Sequence, residues 1–129
     1  MQILLVDDDA IFLDITGRLL RRNGHLVSTA LSALKGLALL REAAAKGSPF
    51  QVVLSDWQMP EMSGFELAEA VHADARTANL PIIALSALTS PEAIERGRQV
   101  GFHDYIAKFD RPGLIAALKE QTANMGEAA

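Results

Sequence analysis

The chain has 129 residues, a formal net charge of −4, 50% hydrophobic residues and no cysteine. This length predicts one domain, and the lack of cysteine excludes a disulfide framework and a thiolate metal site. The acidic balance disfavours nucleic acid or an anionic membrane as partner, and no apolar run approaches the roughly 20 residues of a membrane span. The N-terminus lacks the basic segment of a signal peptide, so we expect a cytoplasmic location.

Apolar runs alternate with helical periodicity, beginning in the first third of the chain. Residues 3–6 form a continuous apolar run, which predicts a strand covered on both faces. Asp9 is a natural N-cap, and apolar residues then recur at helical spacing, namely Ile11, Phe12, Ile15, Leu19 and Leu20. A weaker strand follows at about residues 25–30. Ser32 is expected to cap a second helix that ends near residue 46, with Leu34, Leu37 and Leu40 or Arg41 facing inward.

The same alternation continues to the end of the chain. Strands are predicted at residues 51–55, 81–86 and 104–107, and a helix at about residues 64–73. Ser90 is expected to cap a helix that runs from Pro91 to Val100, although this helix offers few large apolar side chains. Asp110 caps a last helix whose inward residues are Leu114, Ile115 and Leu118.

Five strands that alternate with five helices predict an α/β fold with a parallel sheet and helices on both faces. Residues 1–121 are assigned to this domain. Residues 122–129 are polar or small and are expected to form a short, frayed C-terminal tail.

Reactive side chains follow four of the five predicted strands, and the carboxyl ends of parallel strands share one edge of a sheet. They are Asp7, Asp8, Asp56, Ser86 and Lys108. Carboxylates this close repel one another, and Mg²⁺ prefers a few carboxylates together with water and a phosphate oxygen. A hydroxyl and an ammonium beside them suit phosphoryl transfer onto a carboxylate, where positioning and charge neutralisation dominate. Taken alone, Asp56 is equally consistent with a helix-capping or turn residue.

The motifs Val6-Asp7-Asp8, Asp56-Trp57-Gln58-Met59-Pro60 with Gly64, Ser86-Ala87 and Lys108 resemble those of a two-component response-regulator receiver domain. The resemblance covers nearly the whole chain. It implies the flavodoxin-like receiver fold with strand order 2-1-3-4-5. Trp57, directly after the acceptor position, is similar to the tryptophan of chemotaxis receivers.

The resemblance also implies a role for each site residue. Asp56 would be the phosphoacceptor, and Asp8 and Asp56 would bind Mg²⁺ together with the backbone carbonyl of Gln58. Asp7 would reach the metal mostly through water. Ser86 would contact the phosphoryl group and Lys108 would pair with it, while Tyr105 matches the aromatic residue that turns inward on activation.

The implied partners are a histidine kinase or a histidine phosphotransfer domain, and a target protein that binds the face of the fourth helix, fifth strand and fifth helix. Such a domain catalyses only its own phosphorylation and dephosphorylation. One departure is that Phe109 follows Lys108, where the family usually has proline, often after a cis bond. The Lys108-Phe109-Asp110 sequence resembles receivers attached to hybrid chemotaxis kinases and coupling proteins.

Several alternatives stay open or are disfavoured by the residues. The domain could serve as a phosphate sink, or as a degenerate receiver-like scaffold, although all five family positions are present. It could also be one module of a longer hybrid kinase. Asp7-x-Asp9 resembles the nucleophile motif of haloacid-dehalogenase-like phosphatases, but the further acidic pair that they need is missing. A flavodoxin-type flavin binder would need a phosphate-binding loop where three aspartates stand.

Overall fold

A computed structural model describes residues 1–57, 59, 61–86, 91–99 and 101–128. Five strands alternate with five helices, in the order β1 (Gln2–Val6), α1 (Ala10–Arg22), β2 (Leu26–Ala30), α2 (Ala33–Ala45), β3 (Val52–Asp56), α3 (Gly64–Ala73), β4 (Ile82–Ser86), α4 (Pro91–Gln99), β5 (Asp104–Ala107) and α5 (Arg111–Ala128). Ser90 was predicted as the N-cap of the fourth helix and Val100 as its last residue. Both lie outside the described residues.

All strand pairs are parallel, and the sheet order is β2-β1-β3-β4-β5. This confirms the predicted α/β architecture and the strand order that the resemblance implied. Because the chain starts in the middle of the sheet and moves to either side, the carboxyl ends of β1 and β3 lie next to each other. Ligand sites of open parallel sheets form at such a point.

Side chains of the central strands alternate between two buried layers, as expected of a parallel sheet covered on both faces. One layer joins α1 and α5 to the strands, and its members include Ile3, Leu5, Leu54, Leu85, Leu13, Leu20 and Leu118. The other layer joins α2 and α3 to the opposite face, and its members include Leu4, Val6, Val53, Ala84, Leu37, Leu40 and Leu67. The β1, β3 and β4 strands are therefore fixed from both sides.

The buried stripes of α1 and α2 differ in part from the predicted ones. In α1, Phe12 and Leu20 are buried, but Ile11 and Ile15 are 72% and 47% exposed. In α2, Leu37 and Leu40 face the core as predicted, whereas Leu34 is 52% exposed, so its inward assignment was wrong. The buried stripe of each helix includes a glycine, Gly17 in α1 and Gly36 in α2.

The predicted inner residues of α5 are distributed unevenly, because Leu114 and Leu118 are buried and Ile115 is only half-buried. The helix extends past the predicted boundary at residue 121 as far as Ala128, so residues 122–128, which were expected to fray, are helical. The division of the chain at residue 121 stays a prediction. In the described part of the chain, no helix combines the length and the apolar character that crossing a membrane requires.

The turn from β3 into α3 is unusually close and depends on Gly64. A Cβ atom at this position would lie 2.5 Å from the carbonyl oxygen of Asp56 and 3.2 Å from that of Trp57. The Gly64 N–H donates to the Trp57 carbonyl at 3.2 Å. Ser63 starts α3 with a capping box, since its hydroxyl accepts from the Glu66 N–H while the Glu66 carboxylate accepts from the Ser63 N–H. The loop thus returns tightly to the end of β3.

Substituting Gly64 by alanine should therefore destabilise the protein. We expect Gly64→Ala to lower the free energy of unfolding by about 1–3 kcal/mol, because the backbone must move to admit the methyl group. Gly17→Ala is the matched control, since its Cβ would lie 3.5 Å from the nearest atom, an ordinary contact. In the middle of α1 that change should stabilise by about 0.5–1 kcal/mol. Urea unfolding measures both, and a Gly64→Ala protein as stable as the wild type would contradict the close approach.

Candidate functional site

The first acidic residues of the site are held at the end of β1. The Asp7 N–H donates to the Ala30 carbonyl at 3.1 Å, which continues the pairing with β2 by one residue. The Asp7 side chain is fully buried and its Oδ1 accepts from the Asp9 N–H at 2.9 Å, whereas Asp8 is exposed. Asp9 caps α1 as predicted, because its Oδ1 accepts from the N–H groups of Ile11 and Phe12. The cap fixes where the chain turns after the two aspartates.

Asp56 is the last residue of β3 and lies beside them. Its backbone is in register with Leu85 of β4, and its side chain is 13% exposed. One carboxylate oxygen from each of Asp7, Asp8 and Asp56 lies within 4.8 Å of the other two. The sheet thus brings together three carboxylates that are far apart in sequence.

Lys108 directly follows β5, and it is fixed by its backbone as well as by its side chain. Its N–H donates to the Ser86 carbonyl at 2.9 Å. Its Nζ lies 2.9 Å from Asp7 Oδ2 and 4.0 Å from Asp56 Oδ2, and the side chain is only 13% exposed. Lys108 is therefore the cation that faces the carboxylates.

Burial and charge shift both members of the closest ion pair. Burial raises the pKa of the Asp7 carboxyl above its ordinary value, and this effect outweighs the opposing contributions of Lys108 and of the Asp9 N–H. Burial lowers the pKa of the Lys108 ammonium, but the Asp7 carboxylate, with Asp56 and Asp9 further away, raises it by more, so the Lys108 pKa is raised. Lys108 is accordingly fully charged at neutral pH, while ionised Asp7 is held at a cost in free energy.

One buried carboxylate oxygen at this edge lacks a hydrogen-bond donor among the described residues. Asp7 Oδ2 is close to Lys108 Nζ, yet it accepts no well-directed hydrogen bond from any group in the described part of the chain. A buried carboxylate oxygen without such a donor is costly. A divalent cation at this edge, whose bound water could donate to Asp7, would relieve both this cost and the repulsion among the carboxylates. The donor set of three carboxylates suits a hard cation such as Mg²⁺.

Ser86 ends β4, is 4% exposed and is in register with Ala107 of β5. Its strand lies next to that of Asp56, so the hydroxyl belongs to the same edge of the sheet. Tyr105 on β5 is half-buried and in register with Ala84. Because residues two apart in a strand share a face, the side chains of Ala84 and Ser86 lie on one face of the sheet, and Tyr105 packs against the core layer on that face.

Four aromatic rings form a cluster directly beside Asp56. Trp57 is 5% exposed and its ring contacts Phe65 at 4.0 Å, Phe102 at 5.7 Å and Tyr105 at 5.0 Å between centroids. The guanidinium of Arg96 in α4 lies 4.9 Å from the centre of the Phe65 ring. The cluster connects the residue after Asp56 with α3, α4 and β5.

The structure brings four of the predicted site residues together, namely Asp7, Asp8, Asp56 and Lys108. Ser86 and Tyr105 lie on the two strands that continue the same edge, and Gln58 lies outside the described residues. The described peptide bonds include no cis bond, so the bond between Lys108 and Phe109 is trans.

Sequence reasoning missed some residues that position the site. The Ser63-x-x-Glu66 pattern is a recognisable capping box and could have been found. Phe12, whose ring centre lies 4.6 Å from Lys108 Nζ, gave no signal because it looks like an ordinary core residue.

Comparison with known proteins agrees with this architecture. The family model described as response regulator receiver domain matches residues 3–119. The chain is 42% identical over 108 residues to the two-component response regulator ARR12 of Arabidopsis thaliana. This alignment covers 84% of this chain but only 17% of that protein. It is 30% identical over 116 residues to the two-component response regulator ORR3 of Oryza sativa, covering 90% of this chain and 86% of that one.

Solved structures show the same relationship. The chemotaxis protein CheY4 of Vibrio cholerae superposes with a TM-score of 0.81 at 32% identity, covering 92% of this chain and 96% of that one. The chain spans less than a fifth of the length of the first plant relatives that it matches, so the relationship concerns one domain of those proteins. With a family model that matches almost its entire length, the chain belongs to the response regulator receiver domains of two-component signalling, and its structure is of the chemotaxis type.

Proposed function

We propose that this domain accepts a phosphoryl group on Asp56 from a histidine kinase or a histidine phosphotransfer domain, and that phosphorylation changes a protein-binding face. The observation that carries the proposal is the position of Asp56 at the end of β3, with two further carboxylates and the Lys108 ammonium around it. A nucleophilic carboxylate at a partly open edge, with an adjacent cation, is what phosphoryl transfer to aspartate requires.

The transfer is a displacement at phosphorus. A carboxylate oxygen of Asp56 attacks the phosphorus of a phosphohistidine, the new P–O bond forms as the P–N bond breaks, and the bonding electron pair returns to the imidazole nitrogen. That nitrogen then takes up a proton from solvent as required. Negative charge stays on the phosphoryl oxygens, so Lys108 Nζ, 4.0 Å from Asp56 Oδ2, is placed to neutralise it.

Asp7, Asp8 and Asp56 would hold Mg²⁺, which when bound supplies positive charge to the phosphoryl oxygens. Exposed Asp8 would hold the ion directly, whereas buried Asp7 is already paired with Lys108 and would act mostly through water. The contribution of the Gln58 carbonyl stays a prediction, since that residue lies outside the described part of the chain.

Mg²⁺ should stabilise the folded protein. A raised carboxyl pKa means that the folded state binds the Asp7 proton more tightly, so ionised Asp7 costs stability as the pH rises above the unfolded value of 3.8. A bound cation offsets this cost, and at a hundredfold excess over Kd it adds about 2.7 kcal/mol.

We expect thermal unfolding to move upward with Mg²⁺, and Trp57 fluorescence to change with it. Both responses should be lost in Asp8→Ala and kept in the control Asp14→Ala, whose carboxylate is exposed on α1 and pairs with Arg18. If both responses are unaltered in Asp8→Ala, the metal does not bind at this edge.

Phosphorylation itself is tested with acetyl phosphate and Mg²⁺, with intact-mass analysis. We expect one acid-labile phosphoryl group on the wild type and on Asp14→Asn, and none on Asp56→Asn. Label that reaches Asp56→Asn at the wild-type rate would refute the assignment. Continuous release of phosphate without a stable adduct would favour the phosphatase alternative, and no reaction at all would favour a degenerate scaffold.

The conformational response is proposed to involve Ser86, Tyr105 and α4. A phosphoryl group on Asp56 would accept hydrogen bonds from the Ser86 hydroxyl and the Lys108 ammonium, and movement of Ser86 would let Tyr105 turn toward the space over Ala84. None of the described α4 side chains is buried, and Ile94 is half-buried, so few apolar contacts oppose a shift of this helix.

The face formed by α4, β5 and α5 is the proposed contact for a target protein. A groove of about 260 Å³ lies there, lined by Ile94, Arg98, Phe102, His103, Asp104 and Tyr105. The acidic balance of the chain supports signalling through protein contact rather than nucleic acid. The proposed location is the cytoplasm. Service as a phosphate sink, and a place within a hybrid kinase, stay alternatives that a kinase-coupled transfer assay and the source gene would decide.

Ser86→Ala should accept phosphate at Asp56 but transmit it poorly. Amide hydrogen exchange with and without beryllofluoride measures the transmission. In the wild type and in the control Ser28→Ala on the edge strand β2, protection should change through residues 91–106; in Ser86→Ala the change should stay near Asp56. Wild-type changes confined to the loops around Asp56 would contradict this switch.

A further inference from the structure

Lys108 has a third close neighbour besides its two carboxylates, and it is uncharged. The ring of Phe12 lies with its centre 4.6 Å from Lys108 Nζ. Phe12 is 5% exposed, and its N–H donates to the carboxylate of the capping residue Asp9. The ring of Phe109 packs perpendicular to that of Phe12, with 6.0 Å between centroids. Both the backbone and the ring of Phe12 are therefore fixed.

The negative face of an aromatic ring attracts a cation without using any of its N–H donors. A lysine side chain is a flexible stem with a compact charge, so it needs outside contacts to keep one position. When the unmodified site is at rest, Asp7 holds Nζ at 2.9 Å. A phosphoryl group on Asp56 would add a second strong partner for the three N–H donors of Nζ and would draw it away from its resting position beside Asp7. The contact with Phe12 uses none of these donors and can be kept throughout.

We propose that Phe12 is a positioning residue for Lys108, holding the ammonium at the acceptor edge as a phosphoryl group on Asp56 joins Asp7 among its charged partners. The proposal rests on the function proposed above. Phe12 also belongs to the core layer that α1 covers, and for that structural role any large apolar side chain would fill the space. The positioning role differs because it requires the face of an aromatic ring.

The electrostatic role is separated from packing by changing the ring without changing its shape. Pentafluorophenylalanine at position 12 has nearly the same volume, but fluorination reverses the charge distribution over the ring face. Phe12→Leu removes the ring, and Phe12→Tyr keeps its face. Leu13→Val, in the next residue of α1 and the same core layer, is the control for loss of packing.

Two measurements are made on the full chain. The first is the phosphorylation rate with acetyl phosphate at saturating Mg²⁺. We expect it to fall roughly three- to tenfold for pentafluorophenylalanine and Phe12→Leu, as a lost cation–π contact at a partly buried site would give. The rate should stay within about twofold of the wild type for Phe12→Tyr and Leu13→Val, and Mg²⁺ affinity should be unchanged in all four.

The second measurement is the NMR shift of the Lys108 ε-methylene protons, assigned by their loss in Lys108→Arg. Ring current should move them upfield in the wild type and in Phe12→Tyr, but not in Phe12→Leu. If the wild-type shift is absent, or if pentafluorophenylalanine reacts as fast as phenylalanine, Phe12 does not position Lys108. If the wild type accepts no phosphate, the proposed function fails, while the NMR shift still decides whether the contact exists.

Discussion

The constraint on which this site depends is the crowding of three carboxylates at one end of a parallel sheet. Charges within 4.8 Å of one another repel by about 3 kcal/mol per pair at an effective dielectric constant of about 20. Lys108 offsets part of this repulsion, and it can do so only because β5 pairs with β4 in the register that brings Ala107 beside Ser86. The sheet order, the strand lengths and Lys108 therefore together determine how far the repulsion among the carboxylates is offset.

A second consequence of this arrangement is that Asp56 and the aromatic cluster are adjacent in the chain. Asp56 points into the charged edge, and the next residue, Trp57, points into the aromatic cluster that reaches α4 and β5. The Trp57 N–H donates to the Leu85 carbonyl, so this alternation is enforced by the pairing of β3 with β4. A single peptide bond therefore separates the charged edge of the sheet from the aromatic cluster.

Most of the architecture, and the approach of Asp7, Asp8, Asp56 and Lys108 to one another, could be predicted, because each motif is weak alone but four in order at the ends of parallel strands share one edge of the sheet. The caps Asp9 and Ser32 were also predicted, since capping depends on a few adjacent residues. Leu34 was placed wrongly because the inner face of α2 is set by contact of Gly36 with Val6, a tertiary approach that periodicity does not contain. The contact of Phe12 with Lys108 joins the two ends of the domain and was equally invisible.

The strand order also bears on how quickly the domain folds. The β1–β2, β3–β4 and β4–β5 pairs each join strands that are consecutive in the chain, but β1 must also pair with β3, with Ile3 opposite Val52. Closing that larger loop costs more chain entropy before any contact rewards it. Docking of β3 onto β1 is the step that this topology makes slow, and it is also the step that first assembles Asp7, Asp8 and Asp56. Repulsion among the carboxylates then adds to the barrier, so a divalent cation should accelerate folding as well as stabilise its product.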